Sequence, residues 1–285
     1  MRTQSQFILS VDVEDYFQVE AFSRDVSRAD WDRWPSRVVA NTRRALDLCD
    51  RHGVKATYFV LGWVANKFPQ LVREIHSRGH ELACHSYWHR TVYSLTPQAF
   101  REDLRQAREA VEQAAGTRIL GYRAPSWSIT AKSLWALDIL AEEGFAYDSS
   151  IFPIRHDLYG IPGAERVPHR LATPSGDLTE FPPATVRIGG TNFPVAGGGY
   201  LRILPLYYNQ WSLRRLEREG APAIVVYFHP WELDPDQPRI ASRWRSRFRH
   251  HTNVAGMESR LSGLLSSRAF IPFRNVLETQ AVVTG

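Results

Sequence analysis

Two histidines four positions apart, His85 and His89, bracket the segment HSYWH. On one side of a helical turn, imidazoles at that spacing can both reach a single metal ion. Far upstream lies an acidic cluster, Asp12-Val13-Glu14-Asp15. Alternation along an extended chain puts Asp12 and Glu14 on the same side. One carboxylate with two histidines leaves coordination positions open, as a catalytic metal site requires. The remaining carboxylate could then serve as general base toward water. Each group also has an ordinary reading. The histidines could be packed or surface residues, and the acidic run could be a solvated turn or a helix cap.

Two more residues could join them. His229 follows the apolar run AIVVYF. Histidine titrates near neutrality and can protonate a departing amine, although a hydrogen-bonded core histidine is the ordinary alternative. Arg123, in RAPSW, could hold a carboxylate through a forked hydrogen bond or form a surface ion pair. Cys84 directly precedes His85, so a thiolate ligand is a further option.

The elements that must position these groups follow from periodicity. Phe7–Val13, Ala56–Leu61, Glu81–Cys84, Ile119–Tyr122 and Ala223–Phe228 read as short buried strands. Between them, Ser36–His52, Pro69–Arg78, Thr96–Ala115 and Ala131–Glu143 have helical spacing, each closed by a glycine. Such alternation implies parallel strands joined by right-handed crossovers. Asp12, Glu14, His85, Arg123 and His229 all fall at or just past strand C-termini, the ends that converge on one face in a β/α barrel. The stretch from about Phe152 to Tyr208 is rich in Pro and Gly and reads as loops and small strands at the barrel mouth.

Composition sets the outer limits. The 285 residues, 44% hydrophobic and 23% charged, are those of a globular protein rather than a disordered one. A formal net charge of +5 suits an acidic polymer or membrane surface as neighbour, but no nucleic-acid motif accompanies it. The first residues lack the roughly 7–15 uninterrupted apolar residues of a signal peptide, and no run approaches a membrane span. The expectation is a cytoplasmic protein with Cys49 and Cys84 reduced, with peripheral membrane association open.

Taken in order, SVDVED, HSYWH, RAPSW, FAYDSS and the histidine after AIVVYF resemble the five motifs of the NodB-homology polysaccharide deacetylases, carbohydrate esterase family 4. SVDVEDYFQVEAF, YFHPWELDPDQPR and the RWRSRFRHH tail look more particularly like the deacetylases of exosortase (PEP-CTERM) exopolysaccharide loci. This resemblance implies a deformed (β/α) barrel over 1–235, with β-rich loop insertions. A subfamily-specific region over 236–285 would pack on the barrel.

It also implies roles. Asp12 matches the catalytic base, Arg123 the arginine that holds it, and His229 the catalytic acid. His85 and His89 match the metal ligands, with zinc as the expected ion. Trp127 would line the sugar site, and a backbone N–H near Ser126 would hold the oxyanion. The chain departs from the family at one point: the common first motif has two adjacent aspartates. Here Glu14 takes the ligand position, as in an Asp-x-Asp version, with Asp15 as the alternative. The implied reaction removes N-acetyl groups from the amino sugars of a polysaccharide. Competing readings are a metal-independent amide or cyclic-imide hydrolase on the same scaffold and a catalytically inactive carbohydrate-binding protein.

The tail carries Arg243, Trp244, Arg245, Arg247, Phe248 and Arg249 in a segment, 242–251, of helical spacing. The favoured expectation packs Trp244 and Phe248 on the barrel with the arginines solvated. In the alternative, arginines reach an anionic polymer or lipid-linked sugar.

Overall fold

The computed structural model describes residues 5–195 and 197–284, with side chains through residue 279. In chain order its strands are β1 (Gln6–Val13), β2 (Thr57–Val60), β3 (Glu81–Cys84), β4 (Gly121–Tyr122), β5 (Tyr147–Asp148), β6 (His169–Thr173), β7 (Gly176–Glu180), β8 (Thr185–Ile188), β9 (Thr191–Pro194), β10 (Ala223–Phe228) and β11 (Phe270–Ile271). The helices are α1 (Val38–Arg51), α2 (Gly62–Lys67), α3 (Pro69–Ser77), α4 (Pro97–Ala115), α5 (Trp135–Glu142), α6 (Gly198–Ile203), α7 (Leu206–Glu219), α8 (Trp244–His251), α9 (Met257–Leu265) and α10 (Phe273–Thr284).

β1 is buried along all but its first residue, as its apolar run FILSVDV dictates. It pairs in parallel with β10 from Gln6 to Val11. On its other edge β11 takes Phe7 and Ile8, and β2 takes Ser10 to Val13. The sheet runs β10-β1-β2-β3-β4-β5-β7-β6 and is parallel apart from the β6–β7 hairpin. It curls into a half-barrel with helices outside. The chain after β7 touches β10 through a parallel bridge, Pro183 to Val225, which draws the curl together.

The helices form for the reasons the sequence shows. Thr96 caps α4, its hydroxyl accepting from the Ala99 N–H, and Gly116 ends it in a left-handed conformation. Ser133 tightens the turn before α5, so that helix begins at Trp135, four residues later than its periodicity suggests. β4 shrinks to two residues because the Glu112 carboxylate of α4 takes the Ile119 N–H. α7 is a 14-residue helix that strand-and-loop punctuation did not reveal.

The C-terminal region is woven into the fold. β11 joins the sheet, and the Phe273 ring plugs the interior against Phe59, Tyr147 and Phe181, at centroid distances of 5.0–5.7 Å. The expected helix in 242–251 is α8, but its packing is inverted. Trp244 is 70% exposed and Phe248 58%, and His250 is the residue that faces the interior. His250 wins that place because its flat ring stacks on Trp231 at 4.1 Å while its Nε2 hydrogen-bonds Gln237.

Candidate functional site

Asp12 ends the buried part of β1 with its carboxylate inside the half-barrel. Arg123, just past β4, reaches it through Nη1, 2.7 Å from Oδ1. The guanidinium is wholly buried and spends its other donors on the Ser10 and Ser149 hydroxyls and the Ser149 carbonyl. Phe59 and Trp127 lie against it at 4.1 and 4.7 Å. The surface ion pair that Arg123 could have formed is replaced by a fixed, desolvated contact. Asp12 Oδ1 is occupied, and Oδ2 remains free toward the groove.

Glu14, His85 and His89 bring one ligand atom each to within 4.8 Å of one another, all buried. Glu14 Oε2 lies 2.7 Å from His89 Nε2 and has no hydrogen-bond partner of its own. Glu14 Oε1 accepts from the Trp231 indole N–H at 3.1 Å. His85 turns Nδ1 to the Arg123 carbonyl at 2.8 Å, which fixes the ring and leaves Nε2 for a cation. Burial opposes charge on both groups. It lowers His85 to about 4, so the ring is neutral. For Glu14, burial is outweighed by His89, His229 and His85, which hold it at about 2. Two imidazoles and an under-satisfied buried carboxylate are the donor set of a borderline divalent ion, so these residues fit a metal.

The turn that carries the histidines is not helical. Ser86 and His89 adopt left-handed conformations, with φ of 68° and 51°. Asp103, buried on α4, accepts from the Ser86 hydroxyl at 2.6 Å and the Tyr87 N–H at 2.8 Å. That carboxylate captures donors a helical turn would have used internally. Asp15 points away from the cluster and caps α1, accepting from the Ser36 hydroxyl and the N–H groups of Arg37 and Val38. The Cys84 thiol is free and buried; burial pushes it up to about 12, and it lies outside the cluster.

His229 lines the same groove, Nε2 lying 3.8 Å from Asp12 Oδ2 and 3.7 Å from Glu14 Oε1. Behind it stands Glu232, which accepts from the His229 backbone N–H at 2.9 Å and pairs with Nδ1 at 3.1 Å. Arg202 backs Glu232 at 2.5 Å, also fully buried. Burial disfavours the imidazolium, yet Glu232, Glu14 and Asp12 together raise His229 to about 9. Burial likewise opposes charge on Glu232, but Arg202 and His229 hold it at about 2.

The groove holds about 200 Å³ and is lined by Asp12, Glu14, His85, His89, Ser126, Trp127, Tyr159 and His229, among others. Ser126 and Trp127 are both left-handed, with φ of 53° and 55°. Four of the five non-glycine residues with positive φ among those described therefore sit at this site. Gly197 and Gly198 explain the run GGGY. Their backbone passes against the Tyr227 ring, and a Cβ at Gly198 would also stand 3.3 Å from His229 Cε1.

Seven of the eight sequence-selected residues thus line one groove, and the eighth, Arg123, is buried behind it on Asp12. Sequence reasoning missed Glu232, Arg202, Trp231 and Asp103. The H-P-W-E spacing held a signal for Glu232, because a glutamate three residues after a helix-capping position folds back on that cap. Arg202 and Asp103 carry no local signal, as each acts across the fold.

Residues 29–144 match a family model described as polysaccharide deacetylase, and residues 149–278 match one described as a domain of unknown function (DUF3473). Over 151 residues the chain is 28% identical to a peptidoglycan-N-acetylglucosamine deacetylase of Bacillus cereus, covering 48% of this chain and 53% of the relative. The chain therefore spans about half the length of that curated relative. Its fold matches a solved putative polysaccharide deacetylase from Mycobacterium smegmatis with a TM-score of 0.68 and 21% identity, covering 100% of this chain and 92% of that one. It also matches a solved structure of Puue allantoinase with a TM-score of 0.61 and 14% identity, covering 94% and 86%. These two likenesses show the fold, a curled α/β half-barrel. The family model and the curated relative support placing 29–144 among the polysaccharide deacetylases. The groove draws on more than that segment: Asp12 and Glu14 precede it, and His229 and Glu232 follow it.

Proposed function

We propose that the chain is a metal-dependent N-deacetylase acting on N-acetylated amino sugars of a polysaccharide. The observation that carries this reading is that Asp12 and His229, each held by a buried partner, stand together beside the Glu14–His85–His89 cluster. A divalent ion held by those three residues, zinc in this reading, supplies Lewis acidity toward the acetyl carbonyl and lowers the pKa of the attacking water. Asp12 takes the water proton on Oδ2, since Arg123 occupies Oδ1. The Ser126 N–H donates to the developing oxyanion. Trp127 walls the sugar. His229 gives its Nε2 proton to the amine as the C–N bond breaks, releasing acetate and the free amino sugar. Glu232 keeps the ring oriented throughout.

Exopolysaccharide is the substrate class this reading favours, on the resemblance of both chain ends to the exosortase-locus deacetylases. The same resemblance divides the chain into a barrel over 1–235 and a C-terminal region over 236–285. No helix among the described residues is long and apolar enough to cross a membrane.

The test is acetate release from N-acetylated chitooligosaccharides by purified protein, before and after chelation and zinc reloading. The expected result is release that chelation abolishes and zinc restores. Release that survives complete metal removal refutes the reading in favour of a metal-independent amide hydrolase. Oligosaccharide binding without release by the zinc-loaded protein refutes it in favour of a binding protein.

A further inference from the structure

Helix α8 presents an aromatic pair to solvent that nothing in the fold covers. Trp244 and Phe248 lie four residues apart and are 70% and 58% exposed. At roughly 100° per residue, they lie opposite His250, the residue that anchors the helix. Arg245 and Arg249 flank the pair on one side and Arg247 on the other, with Arg239 and Arg243 preceding them, all exposed. No carboxylate occurs between Asp236 and Glu258. Asp234 and Glu232 are engaged elsewhere, with Arg37 and Arg202, and among the described residues none of the five arginines forms an ion pair.

The helix is also rigidly mounted. Arg202 donates to the carbonyls of Arg249, His250 and Thr252 at its C-terminal end, a favourable place for a cation. His250 packs on Phe22 at 4.8 Å and on Trp231, whose indole reaches Glu14. Phe22 ends the short turn whose Glu20 and Ala21 line the groove, so α8 stands beside the groove mouth.

We propose that α8 docks the protein on an anionic phospholipid surface, with Trp244 and Phe248 entering the headgroup region and the flanking arginines pairing with lipid phosphates. Charge complementarity selects an anionic partner: an aromatic pair ringed by unpaired arginines is the composition of an interfacial helix. Shape selects a surface over a polymer, because the patch is a convex ridge with its apolar rings at the apex, whereas ligand sites are concave. The docked orientation holds the groove mouth next to the lipid plane, within reach of glycans anchored there.

The test is flotation of the full chain with phosphatidylcholine vesicles, with and without phosphatidylglycerol, at low and physiological salt. Binding is expected only with the anionic lipid and should weaken as salt rises. It should fall at least about tenfold in both Trp244→Ala/Phe248→Ala and Arg245→Glu/Arg247→Glu, with melting temperatures unchanged because all four side chains are exposed. No flotation with anionic vesicles overturns the proposal, as does equal binding by the variants. Binding to polygalacturonate in place of vesicles overturns it in favour of an anionic polymer. Flotation needs no turnover: a chain that floats but releases no acetate refutes the deacetylase reading alone, and the reverse refutes docking alone.

Discussion

Replacing Glu232 by Gln keeps the shape of the side chain behind His229 and removes its charge. In the folded protein Glu232 is held at about 2 against an ordinary 4.5, and His229 is raised to about 9 from 6.5. Either displacement, at roughly 1.4 kcal/mol per pH unit, corresponds to something on the order of 3–4 kcal/mol. The two share one contact, so they are not additive. The signs differ. A depressed carboxylate stabilises the fold above about 4.5 and loses that contribution as pH falls toward 2. A raised histidine stabilises it below about 6.5 and loses that contribution as pH climbs toward 9.

At neutral pH the variant should therefore lose about 3 kcal/mol, partly because buried Arg202 is left unpaired. By melting this is roughly a 6–12 °C fall. Adding Arg202→Met removes that unpaired charge but also the donors to the Arg249, His250 and Thr252 carbonyls, so the double variant should stay destabilised. It should leave intact a second effect, an alkaline limb of kcat displaced to lower pH. The assay is acetate release across pH by the zinc-loaded parent, single and double variants. An alkaline limb identical in all three would refute the claim that Glu232 sets the proton-holding power of His229.

Asp12→Asn should retain metal yet lose acetate release by about 10²–10⁴-fold, because the proton acceptor is gone while Glu14, His85 and His89 remain. Metal analysis beside the activity assay separates those effects, and near-parental release would remove Asp12 from the mechanism. Asp103→Ala frees the donors of Ser86 and Tyr87 and should lower metal affinity about 10–100-fold, read by competition with a chromogenic chelator. Gly198→Ala places a methyl in a left-handed position (φ 46°) against Tyr227 and His229, and should cost about 1–2 kcal/mol in thermal unfolding together with activity.

Much of this architecture is legible from residue order alone. The buried strands were readable because runs such as FILSVDV and AIVVYF leave no polar alternative, and the parallel alternation forces their ends onto one face. His85, His89, Asp12 and Arg123 follow from that convergence. Glu14 is preferred to Asp15 on the family resemblance, and their geometry differs because Ser36 and the first N–H groups of α1 capture Asp15. The conformation of HSYWH was hidden, since Asp103 acts from the far side of α4. The exposure of Trp244 and Phe248 was hidden too. Periodicity shows that they share a face but not that His250, with a ring to stack and a nitrogen to bond, takes the buried side. The strand at β4 was readable but its shortened start was not, since a tertiary partner, Glu112, takes the Ile119 N–H, and α7 was missed altogether.

The central claim is that one groove combines a metal held by Glu14, His85 and His89 with proton transfer by Asp12 and His229. The most direct measurement is zinc content and acetate release determined together on the parent and on His89→Ala, with N-acetylated chitooligosaccharide as substrate. The account predicts about one zinc per chain and release in the parent, and loss of both in the variant. Full acetate release by a His89→Ala protein that holds no metal would contradict it.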